Sequence, residues 1–386
     1  MISRKNIYRI VSLVFLFLCS VISSLDSSSF PKPPEQPASG PGGKDYKHSE
    51  VIKNVYGKGG KEYWIFEPSS PFPESAPVIV FNHGWGGINP KIYGAWIEHL
   101  VRRGNIVIYP RYQADLKTPT RDFTINAVEA VKTAIKELQS GKHVRPELDK
   151  VGIAGHSAGG QVSANMAALA KEKGIPAHKV VMCIQPGKSW NRLQRINIVL
   201  EDLRKIPQGT LLVTVAGDMD RVVKDIDAKR IFKESANVPD KNKDFIILVS
   251  DAHGEPELKA SHFAPCAVDE RYDSGEKMKR PKRGRRPALS GMIRERIKDR
   301  VLEKRDIDFD NLENQAVPDS QELPNSVNAL DYYGLWKIFD ALCEAGFYDR
   351  GIDKALGNTP EQRFMGVWSD GVPVKELVVI DNVDDI

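Results

Sequence analysis

Six apolar runs without polar alternation punctuate the chain, at residues 77–81, 105–109, 151–154, 180–184, 210–215 and 244–249. Runs of this kind are what strands buried on both faces look like. Between several of them lie helical patterns, clearest over 124–138, where apolar residues recur every three or four positions. Strand and helix therefore alternate, which predicts a mostly parallel sheet with helices on both faces and a ligand site at the carboxyl ends of its strands. Ahead of this rhythm, 50–56 and 61–66 read as a hairpin joined by a Gly-rich turn. After it, residues 267–325 are highly charged and poor in aromatics, with one helix expected over 292–302, and read as an insertion without a core of its own. The amphipathic pattern returns over 330–343 as a closing helix, and one strand-like run follows at 376–380.

The first residues change the picture of where the protein works. Arg4, Lys5 and Arg9 precede an apolar run over 10–22, followed by Ser23 and Ser24, which is the layout of a secretory signal peptide. That run is short for a membrane span of about 20 apolar residues, so an uncleaved anchor is the alternative to cleavage. Leu18 is bulkier than a lipoprotein processing site wants, which argues against lipidation at Cys19. The expected organisation is a signal peptide over 1–23, a Pro/Gly/Ser-rich linker over 24–44, one domain over 45–350 carrying the 267–325 insertion, and a tail over 351–386.

Loss of residues 1–23 removes three positive charges and no negative one, so the net charge of +4 becomes +1. Most of the remaining asymmetry sits in the run from Lys277 to Arg286, where seven of ten residues are basic. It is either a solvated loop or a contact to an anionic surface such as phospholipid. No aromatic residues interleave with it and the chain carries an export signal, so nucleic acid is not expected as a partner. A monomer is expected. Of the cysteines outside the signal segment, Cys183 lies in an apolar run and reads as an inert thiol, whereas Cys266 and Cys343 are free to pair in an oxidising compartment or to stay apart. No spacing suggests a metal site, and no cofactor is implied.

The segment Lys150-Val-Gly-Ile-Ala-Gly-His-Ser-Ala-Gly-Gly160 is a buried strand running into a G-x-S-x-G turn, with a helix-forming stretch over 161–170 after it. It nominates Ser157 as a nucleophile, held proud of the backbone on a turn that leaves no room for side chains at Gly155 and Gly159. Such a serine needs a base and an acid to orient that base. Of eight histidines, His156 points away from the hydroxyl, and His48, His143 and His178 lie in linkers or at helix ends. His253 and His262 both follow the last core strand and both remain open, with a lean toward His262. The acid is expected between serine and histidine in chain order. Gly217-Asp-Met-Asp-Arg-Val-Val223 supplies Asp220, with Asp218 as a turn cap and Asp225 as the outside alternative. For the oxyanion, the Ala158 amide is one donor and the loop Phe81-Asn-His-Gly-Trp-Gly-Gly87 offers the other, at Trp85. Trp85 also offers a surface on which an acyl group can stack.

These three segments and the stretch Ala260–Pro265 together resemble α/β-hydrolases of the dienelactone hydrolase, chlorophyllase and bacterial cutinase (polyester hydrolase) branch, over roughly residues 48–266 and 330–343. The Ser261-His262-Phe263-Ala264-Pro265 stretch is similar to the histidine loop of bacterial cutinases. The resemblance implies Ser157 as nucleophile, Asp220 as orienting acid, His262 as base, and the Trp85 and Ala158 amides as oxyanion donors. Two departures matter: the dienelactone hydrolase nucleophile is a cysteine, and Ala158 stands where a Met often follows the serine. The function implied is an exported serine hydrolase that cleaves small-molecule or lipid carboxylic esters through an acyl-enzyme. The alternatives are a lipid-directed acyl hydrolase or acyltransferase, and a non-catalytic binding protein on the same scaffold.

Overall fold

The computed structural model describes residues 30–115, 117–187, 198–275, 327–382 and 384. The segment read as a signal peptide, the run from Lys277 to Arg286 and the helix expected over 292–302 lie outside the described residues. Within them the strands are β1 (Glu50–Tyr56), β2 (Tyr63–Ser69), β3 (Ser75–Asn82), β4 (Ile106–Pro110), β5 (Arg145–His156), β6 (Val180–Ile184), β7 (Leu211–Gly217), β8 (Lys243–Leu248) and β9 (Val378–Ile380). They form one sheet in the order β1-β2-β4-β3-β5-β6-β7-β8-β9. From β4 through β8 all neighbours are parallel. The hairpin β1-β2 adds antiparallel at one edge and β9 at the other.

Period-two alternation explains why the parallel strands read as continuous apolar runs. Val78 and Val80 of β3 and Ile106 and Ile108 of β4 enter one core, while Ile79, Phe81, Val107 and Tyr109 enter the other. Helices α2 (Phe123–Leu138) and α3 (Ala158–Lys173) cover the first face. Helices α1 (Gly94–Arg102) and α5 (Lys337–Tyr348) cover the second, α5 being led in by a π-helical stretch, Leu330–Trp336. A further helix, α4 (Ile226–Glu234), follows β7. The mostly parallel sheet with helices on both faces is the layout that the sequence pattern predicts.

Three segments differ from the expected organisation. The stretch read as linker is anchored from Pro31 on: the Pro31 carbonyl accepts from the Glu255 amide at 2.9 Å, the Gly42 amide donates to Asp340 Oδ2 at 2.8 Å, and Asp340 also holds His99 and Arg103. Gly42 is required there, since φ is +76° and a Cβ would lie 2.1 Å from the Tyr332 carbonyl. The first residues of the segment read as an insertion pack against the domain. Ala267 is buried, its carbonyl accepts from the Ala95 amide at 2.9 Å, and the Tyr272 hydroxyl donates to Glu98 at 2.5 Å. Its charged composition conceals these few apolar anchors.

The tail is likewise part of the domain. Met365, Trp368, Val374 and Leu377 are buried in the same core as α1 and α5, and Trp368 Nε1 donates to Asp251 Oδ2 at 3.1 Å. Lys32 and Ser369 exchange two hydrogen bonds, which ties the N-terminal stretch to the tail. Replacing Trp368 by Phe keeps an aromatic ring and deletes that bond. A loss of about 1–2 kcal/mol, read as a melting temperature lowered by about 2–6 °C, is expected; an unchanged melting curve would mean that the tail contributes little.

Candidate active site

β5 runs directly into α3 through Ser157, whose φ of 54° and ψ of −121° are a conformation that side chains rarely adopt. The surroundings over-determine it. The Ser157 amide donates to the Ile184 carbonyl at 2.9 Å, and the Ser157 carbonyl accepts from Gly160 and Gly187. A Cβ on Gly155 would meet the Gly159 carbonyl at 2.2 Å, and one on Gly159 would meet the Asn82 carbonyl at 2.1 Å. The turn thus exists only with glycine on both sides, and it leaves Ser157 half-buried at the carboxyl end of the sheet.

The loops after β7 and β8 bring Asp220 and His262 to it. His262 Nε2 lies 3.0 Å from Ser157 Oγ, and His262 Nδ1 lies 2.8 Å from Asp220 Oδ2. The other carboxylate oxygen of Asp220 accepts from the Val222 and Val223 amides at 2.8 and 3.0 Å. Burial pushes the Asp220 carboxyl up, but the hydrogen bond and charge of His262 and the two amides outweigh this and hold it below the usual carboxylate range. A carboxylate kept ionised here fixes the imidazole orientation and leaves Nε2 facing the serine.

His253, the other open histidine, is elsewhere. It sits exposed and paired with Asp370 at 2.8 Å. Asp218 accepts from the Ser250 amide and hydroxyl, and Asp225 leads into α4, paired with Lys229 at 2.9 Å.

Trp85 lies in the loop after β3, beside the elbow. Among the described residues no hydrogen bond takes up the Trp85 or the Ala158 N–H. Several other groups of that loop are tied down. Tyr112 donates to the His83 carbonyl, His83 Nδ1 to the Gly84 carbonyl at 2.6 Å, Gly86 to Gln113 Oε1 at 2.8 Å, and Tyr109 to the Gly87 carbonyl. Burial pulls His83 down to about 4, so its ring is neutral and stacks on Tyr112 with centroids 4.2 Å apart. A loop held this way carries the free Trp85 amide in a fixed place, which is what stabilising a developing oxyanion requires.

The space in front of Ser157 is a cavity of about 20 Å³ walled by Trp85, Ile92, Tyr93, Phe263 and Cys266. Larger open grooves of about 720 and 840 Å³ lie elsewhere and are not lined by Ser157 or His262. Chemistry rather than size marks the site. Cys183, Cys266 and Cys343 are all buried free thiols, so Cys266 and Cys343 do not pair. Among the described residues no group of three or more His, Cys, Asp or Glu is placed to hold a metal ion.

Some residues of the site escape sequence reasoning. Gln185, at φ 42°, donates from Nε2 to the Ser261 carbonyl at 2.8 Å and pins the approach to His262. Tyr93 and His156 hydrogen-bond at 2.8 Å beneath the elbow. Only His156 carried a signal, its place inside the motif.

A chlorophyllase family model matches residues 46–198. That span carries the Trp85 loop and the Ser157 elbow and ends before Asp220 and His262. An esterase from Mycobacterium tuberculosis, LipI, is 26% identical over 137 residues, which are 35% of this chain and 41% of the relative. The chain therefore spans about two fifths of the curated relative it matches. Among solved structures, a thermostable esterase from Pseudomonas putida aligns with a TM-score of 0.41 and 17% identity, covering 53% of this chain and 73% of that one. Fungal esterases from Rhizomucor miehei align at 0.43 and 16%, covering 59% and 81%.

Proposed function

We propose that this chain, an α/β-hydrolase by its fold, is an exported carboxylic ester hydrolase that works through an acyl-enzyme on Ser157. The observation that carries the proposal is the hydrogen-bonded series Ser157, His262, Asp220 at 3.0 and 2.8 Å. In the first half-reaction His262 Nε2 takes the Ser157 proton as Oγ attacks the ester carbonyl. The carbonyl oxygen becomes an oxyanion and accepts from the Trp85 and Ala158 amides, a pair in which each donor is worth about 3 kcal/mol. Collapse breaks the bond to the alcohol, which leaves with the proton held by His262. Water then attacks the acyl-enzyme with His262 again as base, releasing the acid and restoring Ser157.

The space in front of the serine is small and walled by the rings of Trp85, Tyr93 and Phe263, which favours short acyl groups. A fluorophosphonate probe is expected to label the chain once, on the peptide carrying Ser157. Across p-nitrophenyl esters, kcat/KM is expected to be highest for acetyl and butyryl chains and to fall for decanoyl. Absence of labelling, or labelling on another residue, would sink the mechanism. A preference for long chains would leave the mechanism standing and redirect the substrate class toward lipids.

A further inference from the structure

The last residue of β5 is His156, and its ring lies buried beside that of His262 with centroids 4.9 Å apart. His156 Nε2 is 2.8 Å from the His262 carbonyl oxygen, and Nδ1 is 2.8 Å from the Tyr93 hydroxyl. The same hydroxyl is 2.9 Å from the Gly84 amide nitrogen. An amide N–H can only donate and a carbonyl can only accept, so both ends of this chain have a fixed sense. Gly84 N–H donates to Tyr93, Tyr93 O–H donates to His156 Nδ1, and His156 Nε2–H donates to the His262 carbonyl. For a neutral imidazole, only this proton arrangement satisfies all three bonds.

The carbonyl contact places a proton on Nε2, and with a neutral ring this is the Nε2–H tautomer. Burial supports that state, with the neighbouring His262 charge adding to it, and pulls the ring down to about 3. The two ends of the chain are the two loops that must agree on where the substrate carbonyl sits. Gly84 precedes Trp85, the proposed oxyanion donor, and the carbonyl belongs to the proposed base itself.

We propose that His156 is a positioning residue that, with Tyr93, holds the His262 loop and the Trp85 loop in mutual register through this one-way relay. The inference rests on the ester-hydrolase reading above for its effect on rate, but not for the relay itself. A histidine that only filled space at this position would tolerate any side chain of similar volume; a relay tolerates only one that donates toward His262 and accepts from Tyr93. Glutamine does both.

Imidazole 15N–1H spectra of the full chain, with His156 assigned by its loss in His156→Leu, should report the neutral Nε2–H tautomer between about pH 6 and 8. A Nδ1–H tautomer or a charged ring overturns the relay. In ester turnover, His156→Leu should lower kcat by on the order of 10–100-fold with a smaller change in KM, because a base displaced by a fraction of an ångström costs rate at the chemical step. His156→Gln should recover most of that rate. Tyr93→Phe should match His156→Leu, and the double variant should fall no further than either, as residues acting through one chain do. Undiminished kcat in His156→Leu, a Gln variant as slow as the Leu variant, or additive losses would each overturn the proposal. If the wild type is not labelled by fluorophosphonate, the ester-hydrolase reading has failed on its own, and the tautomer still decides the relay.

Discussion

Replacing Ser157 by Ala is expected to reduce hydrolysis of p-nitrophenyl acetate by on the order of a million-fold, with His262→Ala falling about as far and the double variant no further. The two residues act as one unit: without the hydroxyl there is nothing to acylate, and without the imidazole 3.0 Å away the hydroxyl keeps its proton. Asp220→Asn should fall less, by on the order of ten-thousand-fold, since it disturbs the tautomer of His262 and not the nucleophile. The Ala158 and Trp85 amides stay in place in all three variants, so a small residual rate above water is expected. His253→Ala supplies the internal control. Its ring is paired with Asp370 on the surface, and turnover should stay within about twofold of the wild type, as surface substitutions away from the site usually allow. Wild-type turnover by Ser157→Ala would end the serine mechanism. An inactive His253→Ala beside an active His262→Ala would move the base to the other loop.

What was legible in the sequence follows from where burial and motif coincide. The parallel strands could be read because both their faces are covered, which concentrates apolar residues into unbroken runs. Helix α2 could be read because it presents sixteen residues of amphipathic period to one face of the sheet. Helices α1 and α4, at nine residues each, are too short to declare a period against their flanking loops. The tail hid for a different reason. Met365, Trp368, Val374 and Leu377 are separated by turn residues, so they bury a face without any regular spacing. The Pro/Gly-rich N-terminal stretch reads as linker by composition, yet its glycines serve close approach, as Gly42 does against Tyr332. At the site, the order of Ser157, Asp220 and His262 is carried by local motifs on strand ends. The network beneath them is not. Tyr93 comes from a short turn before α1, and its partnership with His156 and Gly84 arises only when β3 and β5 lie side by side.

That side-by-side packing makes Gly159 the position where fold and site depend on the same few atoms. A Cβ there would lie 2.1 Å from the Asn82 carbonyl oxygen and 2.5 Å from that of His83, and both are backbone atoms that no rotamer change can move away. Gly159→Ala must therefore push the end of β3 from the start of α3, which separates the Trp85 amide from the Ala158 amide along with it. The expected destabilisation exceeds about 3 kcal/mol, and the melting temperature should drop by roughly 6–12 °C or the chain should fail to accumulate. In whatever folded fraction remains, kcat for p-nitrophenyl acetate should fall by on the order of 100-fold or more, since one oxyanion donor has been displaced. Gly209→Ala is the matched comparison, because its Cβ would meet no atom within 4 Å, and its melting temperature should stay within about 2 °C of the wild type. Wild-type melting and turnover in Gly159→Ala would mean that β3 and α3 can part without cost, and the close approach of the two proposed oxyanion donors would no longer follow from the packing of the sheet.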